Sequence, residues 1–117
     1  MAKLKIVLTI VFAVVMILAG INHTFNPGLY KPFIPDWIPL LLTNIFIGII
    51  EIAIGIGLML PSYRRKAAIL LFILMILFLP LHVADVFKMH PAIGSHTLAY
   101  IRLPVQFVLI YWAWYII

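Results

Sequence analysis

The sequence predicts an all-α membrane protein, a four-transmembrane-helix antiparallel bundle, and three observations carry that expectation. Of 117 residues, 67% are apolar and only 9% are charged, against roughly a quarter charged in an ordinary soluble domain. A chain this short has too little interior to hide that much apolar surface from water. The apolar residues fall in four long runs, Leu4–Ile21, Ile38–Leu60, Ala67–Val86 and Leu98–Ile117. Each run is close to the ~20 residues that cross a hydrocarbon core as a helix. Strands of a membrane barrel would be about half as long and would alternate in polarity. With their flanking turns the expected spans are residues 4–24, 38–60, 66–86 and 98–117 of one domain, residues 1–117.

The first run follows Lys3 and Lys5, the charge pattern of a signal peptide, but no small-residue cleavage site ends it and the chain beyond is equally apolar. An uncleaved span is expected. Asn26-Pro27-Gly28, Pro32, Pro35 and Pro39 break the chain after it. The intervening stretch from Phe25 to Trp37 holds aromatics and prolines but little polarity, and reads as a short structured loop at the interface. Pro61-Ser62 closes the second run, and His90-Pro91 with Gly94-Ser95 separates the third from the fourth.

The net charge of +5 is not a nucleic-acid signal, because the basic residues sit in short clusters between apolar runs. Lys3, Lys5 and Arg64-Arg65-Lys66 share one side of a four-span topology; Lys31 and Lys88, partly offset by Asp36, occupy the other. The positive-inside rule then sets both termini in the cytoplasm. Trp37, Tyr63, Tyr100, Trp112, Trp114 and Tyr115 fall near span ends, where amphipathic rings favour the interface. With no cysteine in the chain, disulfides, thiolate metal sites and thiol nucleophiles are excluded.

The polar residues inside the spans are the candidate functional groups. Asn44, Gly48, Glu51 and Gly55 are four, three and four apart and share one face of the second helix. His82 and Asp85 share a face of the third just after Pro80; Arg102 and Gln106 stripe the fourth; Gly20 and His23 stripe the first, with Asn22 beside them. Ionisable groups facing lipid cost roughly 2.5–3.5 kcal/mol each, so the stripes should converge inside the bundle. On this topology Asn22, His23, His82, Asp85 and Arg102 lie toward the outer side. Glu51 lies roughly 20 Å and Gln106 roughly 12 Å below the outer ends of their helices, at 1.5 Å per residue. The expected interior is a vestibule open to the outside with one carboxyl at its floor. Alone at that depth, Glu51 must be protonated or paired.

Structural roles compete with functional ones. Asp85 with Arg102 reads equally as an ion pair, and Gln106 with Glu51 as an interhelical hydrogen bond. His23 and His82 read better as hydrogen-bonded histidines than as ligands of a haem, although facing helices at similar depth are what bis-His ligation requires. His90 and His96 fall in a loop; Met75, Phe78 and Trp112 read as packing.

The ordered motifs resemble the DoxX-like membrane proteins. They are Ala19-Gly20-Ile21-Asn22-His23 with Asn26-Pro27; Glu51 through Gly55 and Gly57 to Pro61, followed by Arg64-Arg65; and Arg102-Leu103-Pro104-Val105-Gln106 with Trp112-Ala113-Trp114. The resemblance covers essentially the whole chain and implies a four-helix protein of the bacterial inner membrane. That family is named for a subunit of a thiosulfate:quinone oxidoreductase. The paired cysteines of related redox membrane proteins are absent here, so a thiol relay does not carry over.

Three functional classes follow. The first is an accessory protein or subunit of a quinone-linked oxidoreductase, holding a small lipophilic ligand such as a quinone in an interior of His23, Asn44, Glu51, His82, Asp85, Arg102 and Gln106. In it, His82, Arg102 and Gln106 would donate to quinone oxygens. The second is a non-catalytic assembly or chaperone factor whose polar groups recognise partner helices. The third is a small transporter or proton relay using Glu51, for which four short spans leave little room. An enzyme acting alone is not expected, for want of a nucleophile–base pair or a metal set. The expected partners are membrane lipids, the lipophilic ligand, and a second copy or a partner membrane protein.

Overall fold

A computed structural model describes residues 2–117; Met1, the first residue of the expected domain, lies outside the described residues. The described residues form four α-helices and one 3-10 helix: α1 (Ala2–Phe25), the 3-10 segment Pro27–Phe33, α2 (Leu40–Met59), α3 (Arg64–Phe87) and α4 (His96–Tyr115). The stretch expected as a structured loop thus holds a helical turn of its own. Pro27 fits that form, since it stands at the first turn, where a missing N–H costs nothing.

Three helices, α1, α2 and α3, are long and apolar enough to cross a membrane. Helix α4 matches α2 in length, at 20 residues, but Arg102, Gln106 and its tyrosines and tryptophans make it less apolar. Large apolar side chains such as Val7, Leu18, Phe46, Leu70 and Val108 stand exposed around the outside. Helices apolar on their outward faces are built for lipid rather than water.

Helix α1 packs along α2, α3 along α4, and α2 against α3. The α1–α2 contact is the tightest, and glycine makes it so. A Cβ added at Gly48 would stand 2.7 Å from the Gly20 carbonyl oxygen, and one at Gly55 would stand 2.8 Å from that of Ala13. Only a missing side chain lets two backbones come this close, the small-residue packing of helices in lipid.

One apolar core joins all four helices. It is built from Phe12, Ala13 and Met16 of α1, Ile54 and Leu58 of α2, Ala67, Ala68, Leu71 and Met75 of α3, Ala113 of α4, and Ile116 just beyond it. Most of these lie toward the end that carries the chain termini and the α2–α3 turn, with Met16 and Met75 near mid-helix. There the Trp112 indole N–H donates to the Leu8 carbonyl oxygen at 3.2 Å, and the Lys5 ammonium to that of Ile117 at 3.1 Å. The α2–α3 turn is closed by Arg64, whose guanidinium donates to the Leu58 and Met59 carbonyls left free at the end of α2.

Candidate functional site

At the opposite end the same helices enclose a cavity of about 420 Å³. Ala19 and His23 of α1, Ile47 and Glu51 of α2, Phe78, Leu81 and His82 of α3, and Arg102 of α4 line it. Leu29, Tyr30 and Phe33 of the 3-10 segment, Ile34 just after it, and Ala92 and Ile93 of the α3–α4 connection complete the wall. Four of the seven expected site residues therefore meet here: His23, Glu51, His82 and Arg102. Asn44, Asp85 and Gln106 stand behind the wall, each 1% exposed or less.

Asn44 sets the geometry of one side. Its amide nitrogen donates to the Leu40 carbonyl at 2.9 Å and reaches that of Pro27 at 3.4 Å. Both partners only accept, so the amide has one orientation, with its oxygen toward His23. That oxygen lies 2.8 Å from His23 Nδ1. Nδ1 must then carry a proton and donate, because an oxygen facing an unprotonated nitrogen makes no hydrogen bond. The other ring nitrogen, Nε2, faces Glu51 Oε1 at 3.7 Å. Tyr30 stacks on the same imidazole, ring centroids 3.7 Å apart, and its hydroxyl is held by the Asn22 side-chain amide at 2.6 Å. The close approach at Gly20 and Gly48 is what brings His23 over Glu51. Nδ1 is thus engaged by Asn44, whereas Nε2 has Glu51 Oε1 nearby but beyond hydrogen-bond distance.

The other side of the cavity is less tied down. Phe33 presents its ring edge-on to His82 at 6.0 Å between centroids. Arg102 Nη1 and Glu51 Oε2 are buried with no hydrogen-bond partner among the described residues, as is Gln106 Oε1. Unpaired polar atoms are rare in protein interiors and call for an explanation.

Two expected pairings do not form. Asp85 is not the partner of Arg102: its carboxylate accepts from the backbone N–H groups of Ala92 and Ile93, with Lys88 Nζ at 3.9 Å. One turn from the end of α3, it reaches the connection more readily than it reaches α4. By holding Ala92 and Ile93 it shapes the wall those residues contribute. Gln106 is not bonded to Glu51 and does not reach the cavity. Its amide nitrogen donates to the Met75 carbonyl at 2.6 Å, next to the Ile76 carbonyl that Pro80 deprives of its helical donor. Phe78, expected as packing, lines the cavity. Tyr30 and Phe33 were not among the expected site residues, and the only hint of them was that the Phe25–Trp37 stretch is aromatic rather than polar.

Among the described residues no three His, Asp or Glu side chains stand together as a metal set. No curated protein and no solved structure matches this chain. Residues 12–117, all but the beginning of α1, match a family model, and the chain belongs to the family described as Domain of unknown function (DUF8561).

Proposed function

We propose that this protein is a DoxX-like accessory protein of the bacterial inner membrane whose cavity binds a small lipophilic ligand of the quinone class within a membrane redox system. In this reading α4 crosses the membrane with the other three helices as an antiparallel bundle, and both termini are cytoplasmic. The observation that carries it is the cavity itself: about 420 Å³, walled by apolar and aromatic side chains, with His23, Glu51, His82 and Arg102 as its polar groups. A cleft of that size, mostly apolar with a few convergent polar groups, is the usual form of a small-molecule site. Arg102 lines the cavity, and a guanidinium, which only donates, suits a quinone oxygen, which only accepts. The ligand itself would supply the redox chemistry; the chain's residues bind and orient it. The resemblance of the motifs around His23, Glu51 and Arg102 to DoxX-like proteins supports the same class. The family match assigns no activity.

Native mass spectrometry of the protein purified in mild detergent tests the reading. A retained quinone or similar lipophile is the expected result; a reproducible partner polypeptide with an empty cavity would favour an assembly factor instead. Reporter fusions at Ile117 and near Gly94 test the topology and should report opposite sides of the membrane. The same side for both would remove the fourth span.

A further inference from the structure

We propose that the outward groove between α2 and α3 seats an acyl chain of one anionic phospholipid, with the lipid phosphate held at Lys66. This seat lies on the outside of the bundle and does not depend on what occupies the cavity. It needs only that the apolar helices lie in a membrane.

The groove follows from side-chain size. Ala53 and Gly57 of α2 and Ala67 of α3 line it, and a Cβ added at Gly57 would stand 2.9 Å from the Ala67 Cβ. Small residues let the two backbones approach there, but they leave little side chain to fill the outward side of the seam. The result is a channel of about 850 Å³, walled by exposed aliphatic side chains such as Leu60, Leu70 and Leu77.

Its length fits one leaflet. The lining runs from Lys66 to Leu77 along α3 and from Leu60 back to Ile50 along α2. Each stretch rises roughly 15 Å at 1.5 Å per residue, half of a ~30 Å hydrocarbon core. A partner helix that crossed the membrane would need a groove of full depth. One that stops midway suits the chain of a lipid from a single leaflet.

The two ends of the groove differ in chemistry. Of the lining residues only Tyr63 and Lys66 carry polar side chains, and both stand at the end beside the α2–α3 turn. Both are exposed. A lysine there lays its stem along apolar surface while its ammonium reaches the headgroup layer, and a tyrosine ring favours the same depth. Charge then sets the class of headgroup. Arg65, also exposed, precedes Lys66, and the first turn of α3 holds no acidic residue. Neither cation pairs with a carboxylate among the described residues. Two unneutralised cations favour a lipid of net negative charge over a zwitterion, which brings a cation of its own.

Native mass spectrometry of the full chain in mild detergent tests this, with phosphatidylglycerol and phosphatidylcholine of the same acyl chains as probes. The first phosphatidylglycerol should bind about fivefold more tightly or better, the factor that one lysine near an anionic headgroup supplies. Lys66→Gln should remove most of that preference. Ala53→Phe, which sets a ring at an exposed position in the groove, should weaken the binding of both lipids. Thermal unfolding shows whether the variants fold, and Ala53→Leu replaces Ala53→Phe if that one does not. Equal binding of the two lipids, a preference that survives Lys66→Gln, or unaltered lipid binding in the filled groove would each overturn the proposal. So would a dimer that Ala53→Phe dissolves, which would put a second copy in the groove.

Discussion

The two ends of the molecule use the same four helices in opposite ways. Toward the termini, the space between the α1–α2 pair and the α3–α4 pair is filled by Phe12, Met16, Leu58, Leu71, Ala113 and Ile116. Toward the other end the same space is a cavity, with His23, Glu51, His82 and Arg102 on its walls. The α1–α2 contact does not explain the contrast, because glycine holds those helices together at both ends, at Gly55 near Ala13 and at Gly48 against Gly20. What differs is the chemistry facing the middle. Small and apolar side chains interdigitate and close the gap at one end, whereas side chains at the other end must keep their polar atoms near partners. His23 is held by Asn44, and Asp85 by the α3–α4 connection. The 3-10 segment and that connection then bridge an opening that the helices leave. One end carries stability and the other carries the site.

The largest effect should come from the contact both ends share. Gly48→Val sets a branched side chain against the Gly20 backbone oxygen, with the Cβ only 2.7 Å away, and backbone cannot yield as a flexible side chain does. Unfolding in detergent should show a loss of about 3 kcal/mol together with loss of ligand retention. A variant with wild-type stability would mean that α1 and α2 are not so closely apposed.

Next in size, the contrast predicts that stability and binding separate. Leu71→Ala, at a fully buried position of the closed end, should cost about 2–3 kcal/mol and leave affinity for a retained ligand nearly unchanged. Glu51→Leu should do the reverse. It removes a buried carboxyl whose Oε2 has no hydrogen-bond partner among the described residues, so it should cost little stability, and it should abolish ligand retention. Paired thermal-unfolding and native mass spectrometry measurements decide this. A Glu51→Leu protein that retains its ligand as the wild type does would take Glu51 out of the site.

The smallest expected effect is a coupling close to zero. Asp85 and Arg102 sit at the same end but do not pair, so Asp85→Asn should cost about 1–3 kcal/mol by loosening the hold on Ala92 and Ile93. Its effect should add to that of Arg102→Gln within about 0.5 kcal/mol, as for independent sites. A larger coupling in the double-mutant cycle would show that the two charges meet after all and would redraw the far wall of the cavity.

Much of this was legible in the chain itself, because the hydrophobic effect and helical periodicity act on local sequence. The length of the apolar runs marked the helices to within a few residues; α2, expected over 38–60, spans Leu40–Met59. The four-residue spacing of Asn44, Gly48, Glu51 and Gly55 placed them on one buried face, and all four are buried. Shared depth grouped His23, His82 and Arg102 with Asn22 and Asp85, and set Glu51 at the floor below them, before any contact was known. Pairing between helices was not legible. Opposite charges suggested Asp85 with Arg102, yet a carboxylate at the end of α3 finds backbone N–H groups in its own connection first. Amide and carboxyl suggested Gln106 with Glu51, yet the Gln106 amide turns to α3 and donates to the Met75 carbonyl. The Asn44–His23–Glu51 chain depends on how closely α1 approaches α2, and the cavity depends on which loops fold over the open end. Sequence spacing sets the face a residue occupies; the partner it meets is decided by helix rotation, helix approach and competing backbone groups, which exist only once the chain is packed.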